Sequence, residues 1–157
     1  MSSVNIIFFS LAHVTNFLIS CLPHYRKGSV MNVLDEYVLS SPSQQNIIDI
    51  FQGEWSSKLP DGFALETQPG QADLFQDARV FWAEEVFGGF NDWNILELGP
   101  LEGGHSYMFQ AKGAAKITAI EANKRAFLKC LCIKEVLNLN KVDFCLGDFM
   151  SFLMFGK

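Results

Sequence analysis

The sequence predicts an α/β fold in which a parallel sheet carries helices on both faces. Three observations predict it. Short apolar runs without alternation recur as NILEL (residues 94–98), KITAIEA (116–122) and KVDFCLGD (141–148), as expected for strands covered on both faces. Stretches of helical length and period, GHSYMFQAKG and NKRAFLKCLCIKEVLNLN, fill the intervals. Strands and helices alternating at this spacing make parallel sheets with right-handed crossovers, a Rossmann-like arrangement, here of three strands preceded by helices.

The elements follow in chain order. Residues 4–22, VNIIFFSLAHVTNFLISCL, carry no charge, and the first charged residue is Arg26. The run is just long enough to span a bilayer. Asn5, His13, Thr15 and Asn16 are costly in lipid, and no basic start marks a secretory signal. Residues 1–30 therefore read first as an apolar extension, spurious or disordered, ahead of a working start at Met31. A membrane helix and a packed helix are the alternatives. SSPS, residues 40–43, is a turn that offers Ser41 or Ser43 as an N-cap. SQQNIIDIFQGEW reads as a helix with Ile47, Ile48 and Phe51 on one stripe. Residues 56–71 read as a loop, marked by Pro60-Asp61-Gly62 and Pro69-Gly70. A helix from about residue 72 to 87 ends at Gly88-Gly89. Its Phe81 and Trp82, with Phe87 and Phe90, are expected in the core. Asp77 and Arg79 are expected as surface pairs of little energetic worth.

After the first strand and its glycine turn, the helix GHSYMFQAKG closes at Gly113. The next helix is capped by Asn123 and points Phe127, Leu131 and Leu137 toward one face. FMSFLMFGK begins a last helix after the third strand. The organisation is an extension (1–30), a helical cover (31–92) and the N-terminal half of the sheet domain (93–157).

Composition narrows the function. The chain has 157 residues, 49% hydrophobic, with a formal charge of −5, enough for one domain with a core. The acidic balance argues against a nucleic-acid surface. Arg26-Lys27 and Lys124-Arg125 are short basic pairs of solvated type. Cys21, Cys130, Cys132 and Cys145 lack metal-knuckle spacing and read as plain thiols of a reducing compartment. No metal site is expected.

Ligands of such sheets sit outside the carboxyl ends of the strands. Three acids stand there: Glu97 near the first tip, Glu121 at the second, Asp148 just past the third. Gly99, Gly103 and Gly104 lie in the first strand-to-helix turn, where glycine lets backbone approach a ligand. Gly99 and Glu121 are 121 − 99 = 22 positions apart, close to the roughly 20 of a ribose-binding acid. A dinucleotide turn needs G-x-G-x-x-G. Here Leu101 takes the second glycine position, and Glu97 and Glu102 would repel phosphate while suiting a cationic ligand. His105, Ser106 and Tyr107 read as ordinary residues of the first helical turn, His105 as half-exposed.

Through ILELGPLEGG, ITAIEAN and FCLGDF in order, residues 94–152 resemble the class I S-adenosylmethionine-dependent methyltransferases. The resemblance implies S-adenosyl-L-methionine as cofactor. It implies that Glu97 and the turn formed by Gly99, Pro100, Gly103 and Gly104 hold the methionine moiety. Glu121, with Ala122 beside it, would hold the ribose, and Asp148 with Phe149 the adenine. Members carry a seven-stranded sheet whose fourth strand supplies cofactor-facing and catalytic positions. This sequence stops after the third, so the resemblance implies a truncated chain with weak or no activity alone. Its catalytic residues and methyl acceptor are unassigned. Two alternatives share the ribose acid: an NAD(P)-dependent oxidoreductase fragment and a non-catalytic nucleotide-binding remnant. The expected location is cytoplasmic, with a membrane anchor through residues 4–22 as the alternative.

Overall fold

The three expected strands form and lie side by side in chain order. The structure is a computed structural model that describes residues 4–7, as backbone, and 37–155. The chain divides into two compact units; of the smaller, residues 9–42, only 37–42 are described, with no helix or strand. The larger unit holds every element that follows. Its main sheet contains β4 (Asn94–Leu98), β5 (Lys116–Glu121) and β6 (Val142–Leu146). All neighbours are parallel, with Leu98 opposite Ile120 and Glu121 opposite Leu146. Between the strands run α3 (Gly104–Ala111) and α4 (Lys124–Val136), and α5 (Phe149–Phe155) follows. Asn123 caps α4 through its side chain, as its sequence position predicts.

A fourth strand corrects the expected count. β1 (Val4–Ile7) pairs in parallel with the free edge of β4, from Val4 opposite Asn94 to Ile7 opposite Glu97. An uncharged run rich in β-branched residues suits the open backbone ladder of a sheet edge. The readings of residues 1–30 as an extension outside the fold, a membrane helix or a packed helix therefore fail for these four residues. Residues 8–30 of that segment lie outside the described residues. Among the described residues, no helix is long and apolar enough to cross a membrane.

The cover is less helical than its sequence suggests. Ser43 caps α1 (Gln44–Asp49) by accepting from the Asn46 N–H at 3.2 Å. The expected loop at residues 56–71 overlaps two short parallel strands, β2 (Trp55–Ser57) and β3 (Pro69–Ala72). Hydroxyl groups knit them: Ser57 Oγ donates to Ala72 O at 2.9 Å and Thr67 Oγ1 to Ser57 O at 2.7 Å. Pro69 opens β3, where its missing N–H removes no interior ladder bond. The helix expected from residue 72 starts later. A 3-10 turn (Leu74–Gln76) precedes α2 (Ala78–Phe87), which Asp77 caps.

The aromatic run also departs from expectation. Phe90 is fully buried and meets Phe109 edge-on at 5.1 Å, but Phe81, Trp82 and Phe87 are about half exposed or more. The inward face of α2 carries the small residues Val80 and Ala83, so the bulky ones point out. On α4 the buried stripe is Ala126, Lys129, Cys130, Ile133 and Val136, while Leu131 is exposed. No residue of α5 is buried.

Gly104 fixes how the cover meets the sheet domain. A Cβ built there falls 2.5 Å from the backbone oxygen of Leu74, a contact that neither backbone can relieve by a rotamer change. Gly104→Ala is expected to cost about 2 kcal/mol or more. Gly147→Ala, where a Cβ meets nothing within 4 Å, is expected to leave thermal unfolding almost unchanged. Unfolding curves of the two variants check both statements.

Candidate functional site

Glu97, Glu121 and Asp148 stand at or just past the carboxyl ends of the parallel strands β4, β5 and β6, in three different states. Glu97 sits on the penultimate residue of β4 and is 4% exposed. Ser106, in the first turns of α3, donates its hydroxyl to Glu97 Oε2. Glu97 Oε1 is buried without a hydrogen-bond partner among the described residues. Burial pushes the Glu97 carboxyl up to about 7, with the Glu121 charge adding to it and the Ser106 bond opposing it.

Glu121 ends β5 and is also buried. Backbone satisfies it: the Leu101 N–H donates to Oε2 at 3.1 Å and the Asn123 N–H to Oε1 at 2.8 Å. One amide comes from the glycine turn and the other from the cap of α4, so the carboxylate bridges both loops. Asp148 is exposed and spans the start of α5. It accepts from the Ser151 N–H at 2.9 Å, the Ser151 hydroxyl at 2.8 Å and the Met150 N–H at 3.3 Å. These bonds, the Ser151 hydroxyl foremost, hold its carboxyl below the usual range. Phe149 beside it is half-buried and Ala122 beside Glu121 is exposed.

The turn between β4 and α3 uses its glycines for separate purposes. Gly99 has φ 72° and open space where a side chain would stand. Its N–H continues the ladder to Ile120 O at 2.9 Å. Gly103 has φ 77° and packs under the Phe144 ring, while Gly104 makes room for Leu74. Pro100 is buried. Leu101 has φ 56°, a left-handed conformation that costs a residue with a Cβ about 1 kcal/mol or more.

Two sequence readings are corrected here. Glu102 is not an open acid beside the turn. It is fully buried on the other side of the turn, accepting from the Ser56 and Ser57 N–H groups at 2.9 and 3.0 Å and from Lys129 Nζ at 2.9 Å. Asp77 and Arg79 are not a loose surface pair. Asp77 is mostly buried, caps α2, takes a two-pronged bond from Arg79 and meets His105 Nε2 at 3.0 Å. Burial would raise its carboxyl, but the bonds from Arg79 and His105 hold it well below the usual range. His105 is more buried than expected, and burial lowers it against the pull of Asp77.

Sequence reasoning missed Ser106 and Lys129. Ser106 lies nine positions after Glu97, an offset without a local signature. Lys129 was legible, since the spacing 126, 130, 133, 136 makes an inward stripe that includes position 129. Two surface hollows of about 400 and 330 Å3 lie in the cover. Gln45, Ile48 and Trp55 line one, and Lys58, Pro60 and Phe63 the other; no strand-tip acid lines either.

No protein-family profile and no curated protein matches the chain in sequence. Solved structures match in three dimensions. The N-terminal domain of EvdMO1, crystallised in the presence of SAH and D-fucose, superposes with TM-score 0.55 and 22% identity over 72% of this chain and 48% of that one. The same domain with SAH bound gives TM-score 0.53 and 20% identity over 68% and 45%. The fold is that of the class I methyltransferases. Full-length EvdMO1 gives TM-score 0.55 at 20% identity, over 72% of this chain and 26% of that one. The chain thus spans about half of the matched domain and about a quarter of the whole EvdMO1 chain.

The buried Glu97 makes stability depend on pH. Its folded value near 7 lies above the ordinary 4.5, so the folded state holds the extra proton. That contribution is fully present below about pH 4.5 and is lost as pH rises through about 7, a change of about 3 kcal/mol at most. Denaturant unfolding at pH 5 and pH 8 is expected to show the loss, and Glu97→Gln is expected to flatten it.

Proposed function

We propose that this chain binds S-adenosylmethionine at the tips of β4 and β5 and forms the cofactor-binding part of a methyltransferase. One observation carries the reading: a buried acid, Glu97, with an unpartnered oxygen, beside a turn whose Gly99 opens onto free space. A buried polar atom without a partner costs free energy, and the ammonium of a methionine moiety supplies both the donor and the countercharge. Glu121 fits the ribose. Each of its oxygens accepts one backbone N–H and keeps a lone pair for a hydroxyl. Phe149 offers an apolar face to the base, while the Asp148 carboxylate is mainly occupied with α5. A dinucleotide fits less well, since its pyrophosphate would meet Glu97 and Glu121.

The bound cofactor supplies an electrophilic methyl group on a sulfonium. The part of this chain is to hold that group in line with an acceptor and to exclude water. Weak or absent methyl transfer is the proposal for this chain alone. The match to a domain crystallised with D-fucose makes a deoxyhexose the first acceptor to assay.

Calorimetric titration tests the reading. S-adenosylhomocysteine is expected to bind at least about tenfold more tightly than NAD. Glu121→Ala is expected to weaken it on the order of 10–100-fold, the loss of hydrogen bonds to a charged group. Preferential binding of NAD would overturn the proposal.

A further inference from the structure

Lys129 and Glu102 form a buried ion pair that the cofactor reading leaves unused. Their side chains are 11% and 0% exposed and their charged atoms 2.9 Å apart. A buried pair adds little net stability over an apolar pair of similar volume, so what it holds in place is the informative question. It joins three elements. Glu102 belongs to the glycine turn and accepts the two successive N–H groups of Ser56 and Ser57. Lys129 belongs to α4 and donates to the backbone oxygen of Glu54 as well as to Glu102. The turn, the strand β2 and the helix therefore meet at one carboxylate.

The residue before Glu102 is the strained one. Leu101 keeps its left-handed backbone with both of its polar groups engaged. Its N–H donates to Glu121 Oε2 at 3.1 Å, and its carbonyl faces the Cys130 thiol at 3.5 Å. Cys130 follows Lys129 on α4. Strained backbone persists where its surroundings over-determine it, and here adjacent residues of one helix hold adjacent residues of the turn.

We infer that the Lys129–Glu102 pair is a positioning device for the ribose end of the site, holding the turn in the conformation that aims the Leu101 N–H at Glu121. The ligand side of this inference rests on the cofactor reading. The backbone side stands independently, and the experiment separates them.

Hydrogen exchange of the native chain without ligand is the first arm. The amides of Ser56, Ser57 and Leu101 are expected to open as one unit, at a rate distinct from that of the core strand β5. Leu101 opening independently of Ser56 and Ser57 overturns the inference, and no variant is needed to see it. Lys129→Met and Glu102→Gln form the second arm, with affinity measured on folded protein well below its unfolding temperature. Adenosine and S-adenosylhomocysteine are both expected to weaken by the same factor, on the order of tenfold, because the ribose acid loses its aim. Glu97→Gln is expected to weaken only S-adenosylhomocysteine, through its ammonium. A folded variant with faster Leu101 exchange but full affinity for both ligands overturns the inference. If the native chain binds neither ligand, the cofactor reading fails, and the exchange data alone decide the clamp.

Discussion

Three carboxylates crowd one end of this fold, and its local architecture follows from how each is kept from repelling the others. Glu97 is buried with a single hydroxyl donor, and burial favours its neutral form. Glu121 stays buried because two backbone amides solvate it. Glu102 is answered by a lysine and two further amides. Burial, and then the neighbouring carboxylates, push the Cys130 thiol up, and from α4 the thiol meets the Leu101 carbonyl of the turn at 3.5 Å as a weak donor. Like charges at close range are tolerated only with separate solvation, and the glycine turn is the segment that supplies or receives most of it.

The turn in consequence is a junction as much as a loop. Its first glycine lies under open space, its last admits the backbone of the cover, and its buried acid anchors β2 and α4. Displacement of the cover would thus be felt at the strand tips. Residues 54–57 and 74 brace the end of the sheet where the acids gather.

The sheet was legible because its signal is dense. Unbroken apolar runs at regular spacing leave few alternatives, and Asn123 and Ser43 cap their helices by local chemistry alone. Glu121 was legible for the same reason, since a strand-end acid is placed by the strand. What failed to show depends on contacts distant in sequence. Glu102 and Lys129 are 27 positions apart, and no local pattern pairs them. β1 reaches β4 across some ninety positions of chain, from Val4 to Asn94, and no local period encodes that pairing. The aromatics of α2 misled because helical spacing tells which residues share a face but not which way the face turns. Here the small residues took the inside.

Trp55 is wholly enclosed, its indole N–H donates to Ile48 O at 2.9 Å, and the ammonium of Lys129 lies 5.4 Å from its ring centre. An indole so placed would serve as a built-in optical probe of the lysine that grips the turn, whereas Trp82, 61% exposed, would report chiefly on solvent. Selective quenching of the outer indole would leave a spectrum dominated by less accessible rings, and tightening or release of the lysine could be followed by light alone.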